Sequence, residues 1–191
     1  MHILAISQGR EIEASKWAAV VKSGIDALMI REKHLNAQSL LDLGRQILDM
    51  APALPLWING RLDVALALGV GFHGPEDYPE IPPRLCAVSR PLHNIAQIRE
   101  RQHSDQLLVS PVFAVPGKGE PLGVPGLYGI LDNLPPWRRT VLALGGINPE
   151  NAAILQHNRL DGVALIRSLW DSKNPRNVVD KLRSAWKDDK C

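Results

Sequence analysis

The sequence predicts an α/β chain folded as a (β/α)8 barrel, trimmed, with a short or missing fourth helix. Three observations carry that prediction. Eight short apolar runs recur along 191 residues. Amphipathic stretches with apolar residues near i, i+3 and i+4 separate most of them. The interval after the fourth run is instead the proline-rich "GPEDYPEIPPR", residues 74 to 84, which breaks a helix. Strands alternating with helices imply right-handed βαβ units and a parallel sheet. Barrels of this kind usually run to about 250 residues, so this one is economical.

The first run is His2–Ser7. The "SQGREIE" after it has a single glycine, unlike the Gly-rich first loop that often accompanies a doubly wound open sheet. The helical stretch Glu13–Lys22 follows. The second run, Asp26–Arg31, leads through Ala37–Leu48, where Leu40, Leu41, Leu43, Ile47 and Leu48 form an apolar stripe. Run three, Pro55–Asn59, precedes helix Leu62–Leu68, and run four is Val70–His73. The fifth run, Arg84–Ser89, precedes helix Asn94–Arg101. The sixth, Gln106–Ser110, opens into a long loop, "SPVFAVPGKGEPLG". Thr140–Gly145 and Asp161–Ile166 are the last two runs, followed by helices Pro149–His157 and Val178–Trp186. One domain, residues 1–191, accounts for everything.

Composition narrows the function. A formal net charge of +2 without a basic stripe argues against a nucleic-acid surface. The only charge cluster, Lys187-Asp188-Asp189-Lys190, is mixed in sign. Cys86 reads as a small core residue and Cys191 ends the sequence, so neither a disulfide framework nor a metal motif is expected. No apolar run is long enough for a signal peptide or a membrane span, and a cytoplasmic protein is the expectation.

Chemistry in a parallel barrel sits at the carboxyl ends of its strands. Side chains alternate along a strand, so Ala27, Met29, Arg31 and Lys33 share one face and Leu28, Ile30 and Glu32 the other. Met29 is then expected inside the barrel, with Arg31 and Lys33 above it. A guanidinium fork beside a lysine suits phosphate. Asn59 ends the third strand. Lys118, between Gly117 and Gly119, is the only cation of the sixth loop. Gly145 and Gly146 allow close backbone approach, and Asn148-Pro149-Glu150 reads as N-cap, first helical residue and first-turn acid. Arg167 and Ser168 follow the eighth strand. Loops after strands 7 and 8 are a common phosphate site in this fold. His73, Asp77 and His93 lie near strand ends without the spacing of a metal site, and His34, His103 and His157 read as surface groups.

The stretches "GIDALMIREKHL", "PLWINGRLDVAL", "GFHGPED", "VSPVFAVPGKG", "LALGGINPENA" and "DGVALIRSL" together resemble the thiamine phosphate synthase superfamily, which also contains thiazole tautomerases. The resemblance runs from the first strand to the eighth. It implies a pyrophosphate-handling group of Arg31, Lys33, Asn59 and Lys118. It also implies a thiazole-phosphate site of Gly145, Gly146, Arg167 and Ser168, with Met29 where the synthases carry a substrate-binding glutamine. It makes Asp77 the candidate magnesium ligand.

Departures from the synthase pattern shape the functional expectation. Gly60 stands where synthases place a magnesium aspartate, Val115 and Gly117 replace two threonines, and Arg167 replaces a small residue. Magnesium is therefore expected to bind weakly or not at all. The missing aspartate is shared with the tautomerases, although Pro111 stands where they carry a proton-transferring histidine. A tautomerase-like enzyme binding a phosphorylated thiazole is the first expectation. A synthase with a weakened magnesium site, joining hydroxymethylpyrimidine pyrophosphate to thiazole phosphate, is the alternative. A non-catalytic phosphate-ligand-binding or regulatory protein is the third. The expected partners are small phosphorylated thiazoles or pyrimidines, with neither nucleic acid nor membrane, and a homodimer is allowed for.

Overall fold

The computed structural model describes residues 1–82, 85–136 and 139–187, the last without the Lys187 side chain. Eight parallel strands close into a barrel in sequence order. They are β1 (His2–Ile6), β2 (Ala27–Ile30), β3 (Leu56–Asn59), β4 (Gly71–His73), β5 (Val88–Leu92), β6 (Gln106–Val109), β7 (Thr140–Leu144) and β8 (Gly162–Leu165). The predicted (β/α)8 class is the observed one. No described helix is long and apolar enough to cross a membrane. The charged tail from residue 188 onward and Cys191 lie outside the described residues.

The strand pattern sorts side chains into two cores. Leu4, Ile6, Ala27, Met29, Leu108, Leu142 and Ala164 meet in one cluster, which fills the barrel. Residues of opposite parity, such as Ile3, Leu28, Ile30, Ile58 and Val163, join the larger cluster beneath the helices. Burial of both faces explains why these strands read as continuous apolar runs.

The helices are α1 (Ala14–Val21), α2 (Ala37–Met50), α3 (Leu62–Leu68), α4 (Gly123–Asn133), α5 (Arg167–Trp170) and α6 (Pro175–Lys187). Asn36 caps α2 by accepting from the Ser39 N–H at 2.9 Å. Asn94 likewise accepts from the Gln97 N–H at 3.2 Å, but Ile95–Arg101 is a 3-10 helix rather than the predicted α-helix. In the predicted helix Pro149–His157, only Ala153–Leu155 forms a 3-10 turn. Asn148 closes the turn before it, accepting from the N–H groups of Glu150 and Asn151 at 2.9 and 3.1 Å.

Two elements differ from expectation for identifiable reasons. Strand 5 was predicted over Arg84–Ser89, whose first residue is outside the described set, and is observed at Val88–Leu92. Pro91 lies within this strand although proline cannot donate to a ladder. However, β4 ends at a pairing of His73 with Ser89, so Pro91 has no β4 partner to lose. Helix α4 is not among the predicted helices, and its sequence "GVPGLYGILDN" holds three glycines and a proline. Leu127, Ile130 and Leu131 are buried on one face of it, and Pro125 sits in the first turn, where its missing N–H is harmless.

Between β4 and β5 no helix forms among the described residues. Arginines pin the proline-rich loop instead. Arg90, only 6% exposed, donates to the carbonyls of Glu76 (3.0 Å) and Tyr78 (2.8 Å). Arg101 donates to the Glu76 carbonyl at 3.1 Å. Tyr78 packs on Phe72 with ring centroids 4.9 Å apart. Three directed bonds and one aromatic contact thus cover what a helix would.

Candidate active site

A cavity of about 880 Å3 opens at the carboxyl face. Arg31 after β2, Gly145 and Gly146 after β7, and Arg167 and Ser168 after β8 all line it. Five of the ten residues singled out from the sequence therefore meet at one place. Their positions follow from the strand ends. The backbone N–H of Arg31 donates to Ser7 Oγ at 2.7 Å, tying the end of β2 to that of β1. Ser168 Oγ is buried with no hydrogen-bond partner among the described residues. A ligand oxygen in the cavity would supply the partner that a buried hydroxyl otherwise lacks.

The glycines have a more specific job than a general allowance for a ligand. Gly145 and Gly146 have φ of 108° and 66°. A Cβ on Gly145 would lie 2.8 Å from Pro111 Cα. The Phe113 N–H donates to the Gly145 carbonyl at 3.0 Å, so the loops after β6 and β7 are locked together. The close approach predicted for this pair is first of all to the β6 loop.

The cavity is cationic. Arg10, Arg31 and Arg167 line it, opposed by the single carboxylate of Asp171. Arg10 pairs with Asp171 at 2.6 Å, and Gln8 donates to the same oxygen at 2.9 Å. Among the described residues no carboxylate forms an ion pair with Arg31 or Arg167, which leaves two guanidinium groups for an anion. Arg10 and Asp171 were not singled out from the sequence, because each sits in a polar segment without motif spacing.

The remaining predicted residues are placed differently. Met29 points into the barrel as expected, but at 1% exposure it lies beneath the cavity and does not line it. Lys33 was expected to stand beside Arg31. Alternation stops at Ile30, where β2 ends, and Lys33 is exposed and off the cavity wall. Glu32, on the opposite face by alternation, is buried and accepts from the Gly9 N–H at 3.3 Å. Lys118 is exposed at a turn closed by its N–H on the Val115 carbonyl. Val115 lines the cavity and Lys118 does not. Asn59 is half-buried at the end of β3, with Nδ2 3.5 Å from the His73 carbonyl.

Asp77, the candidate magnesium ligand, is exposed on the pinned loop. Among the described residues no group of three His, Cys, Asp or Glu is placed to hold a metal ion. These side chains do not fit a protein-held magnesium ion.

In the sequence His73 is an isolated histidine. It is 8% exposed, with Nδ1 2.9 Å from Ser89 Oγ. Burial, then the charges of Arg90 and Arg31, push its pKa down to about 3. Its ring is therefore neutral near pH 7.

A family model described as thiamine monophosphate synthase matches residues 4–169. The chain belongs to this family. The thiamine-phosphate synthase of Syntrophomonas wolfei is 29% identical over 194 residues, covering 95% of this chain and 92% of that protein. That of Chloroflexus aurantiacus is 32% identical, covering 94% and 87%. The thiamine-phosphate synthase of Albidiferax ferrireducens is 34% identical over 178 residues, covering 87% and 81%. Among solved structures, thiamine phosphate pyrophosphorylase from Pyrococcus furiosus superposes with a TM-score of 0.85 at 21% identity, covering 97% of this chain and 95% of that one. All three of these relatives carry the thiamine-phosphate synthase name.

Proposed function

We propose that this chain is a thiamine-phosphate synthase, joining hydroxymethylpyrimidine pyrophosphate to a thiazole phosphate. Synthase-named relatives at 28–34% identity favour this over the tautomerase ranked first from sequence. Pro111, with no titratable atom to transfer a proton, also weighs against isomerisation. The observation that carries the proposal is the convergence of Arg31 and Arg167 with the Gly145–Gly146 turn and the buried Ser168 hydroxyl on one cavity.

The chemistry asks for charge stabilisation more than for acid–base groups. The bond between the pyrimidine methylene carbon and the pyrophosphate oxygen breaks, and pyrophosphate leaves with the electron pair. The thiazole nitrogen then donates its lone pair to the carbon cation, and the positive charge ends on the thiazolium ring. Arg31 offers a fixed charge to the departing pyrophosphate, the kind of preorganised group that lowers such a barrier. Lys33, Asn59 and Lys118 are assigned to the same anion. Both lysines are exposed on loops beside the mouth, and their long side chains have room to turn onto a ligand. Ser168 and Arg167 are assigned to the thiazole phosphate.

The test is incubation of the protein with both substrates and magnesium. Thiamine phosphate and pyrophosphate should appear in equal amounts. Failure to form them, with isomerisation of a carboxythiazole phosphate instead, would return the chain to the tautomerases.

A further inference from the structure

We propose that His73 is a substrate-facing hydrogen-bond donor, locked as its Nε2–H tautomer by a buried relay running from Gln106 through Ser89. This deepens the synthase assignment and rests on it for the identity of the substrate.

The relay follows from strand register. His73 pairs with Ser89 across β4 and β5, and Ser89 with Gln106 across β5 and β6. The three side chains are thus level and share the inward face. Elsewhere the barrel interior is filled by Leu4, Ile6, Ala27, Met29, Leu108, Leu142 and Ala164. A polar trio in such surroundings must satisfy itself internally.

Counting hydrogens fixes the tautomer. Gln106 Nε2 donates to Ser89 Oγ at 3.0 Å. Ser89 is fully buried and has one hydroxyl proton to place. Among the described residues, its only acceptor is His73 Nδ1, at 2.9 Å. If Nδ1 carried the ring proton, the serine hydroxyl would be a buried donor without an acceptor, an expensive arrangement. Nδ1 is therefore the acceptor, and the ring proton sits on Nε2. No group among the described residues accepts from Nε2. His73 ends β4 at the carboxyl face, level with Asn59, and the charge of cavity-lining Arg31 reaches it. A neutral N–H placed there matches an acceptor atom of the pyrimidine pyrophosphate that Arg31 is assigned to hold. Ser89 and Gln106 are positioning residues, acting through His73.

The experiment is nitrogen NMR on the full-length protein labelled at histidine. In the free protein, His73 should show a protonated Nε2 and an unprotonated Nδ1. Ser89→Ala should move the proton onto Nδ1 or split it between the two nitrogens. Adding hydroxymethylpyrimidine pyrophosphate should shift Nε2 of the wild type. In turnover, His73→Leu should fall about 100-fold, the scale of losing one preorganised donor. His73→Gln, which keeps an N–H near the Nε2 position, should recover most of that loss, as a merely space-filling role would not predict.

A protonated Nδ1 in the wild type overturns the relay. Calorimetric binding of the pyrimidine pyrophosphate without any response at His73 overturns the substrate contact and leaves the synthase assignment standing. Absence of binding overturns that assignment and the contact with it, while the free protein still decides the tautomer.

Discussion

Gly146 and Phe113 are packed so closely that a Cβ on the glycine would lie 2.7 Å from the Cβ of the phenylalanine. The two residues belong to the loops that follow β7 and β6. Any side chain at 146 must push those loops apart before it can reach a ligand, and its φ of 66° adds backbone strain. Gly146→Val should therefore cost about 2–4 kcal/mol of stability, combining overpacking with an unfavourable backbone. Denaturant melts would measure it. A variant as stable as the wild type that merely loses phosphate binding would place the glycine's role in the cavity alone.

Arg31 should dominate the affinity for pyrophosphate. Removing a charged hydrogen bond costs about 1.5–3 kcal/mol, so Arg31→Ala should weaken binding by roughly 10- to 150-fold. Binding to the wild type should also weaken as salt rises, because the cavity is open to solvent. Calorimetry at two ionic strengths checks both. Equal affinity in wild type and variant would remove Arg31 from the anion site.

Gly60 has a φ of 74°, and a Cβ on it would meet only Pro75 Cγ, at 3.9 Å. Space is therefore available and backbone conformation is the obstacle. Aspartate tolerates this region better than most residues, so Gly60→Asp should fold with a loss of about 1 kcal/mol. It should bind magnesium more tightly than the wild type, and thiamine phosphate formation should become more dependent on the ion. Unchanged magnesium binding by calorimetry would show that residue 60 does not point toward the metal-bearing substrate.

His73 should make the protein acid-sensitive in a defined window. Its pKa is about 3 when folded, against 6.5 for an unperturbed histidine. The unfolded chain takes up a proton as pH falls below 6.5, and the folded chain does so only near 3. Stability from this group is thus fully present above 6.5 and drains away down to about 3, at up to ~1.4 kcal/mol per pH unit. His73→Gln should flatten the wild-type slope in that interval. An equal slope in the variant would assign the acid sensitivity to other groups.

Much of the architecture was legible because burial on both faces leaves an unmistakable apolar run. Met29 was placed in the barrel by alternation alone, and seven of the eight strands were found where their apolar runs lie. What failed did so where a tertiary contact overrode a local rule. Pro91 sits in β5 because its neighbour strand has already ended. Helix α4 hides behind its glycines because three buried residues are enough to hold it. Lys33 leaves the cavity because alternation does not survive the end of a strand. His73 was invisible as a site residue because its meaning lies in Ser89 and Gln106, two unremarkable polar residues brought level only by register.

The Arg90 clamp has a mechanical consequence. An apolar helix lying on a barrel can slide by an ångström and lose little, since greasy contact has no direction. A guanidinium bonded to the Glu76 and Tyr78 carbonyls cannot, because each bond weakens steeply off its axis. The outer wall behind β4 is consequently thin but stiff, fixed by angles where its neighbours are fixed by area. His73 and Asn59 stand just inside that wall. The protein economises on chain at a sector of its circumference where slack would be felt directly at the mouth.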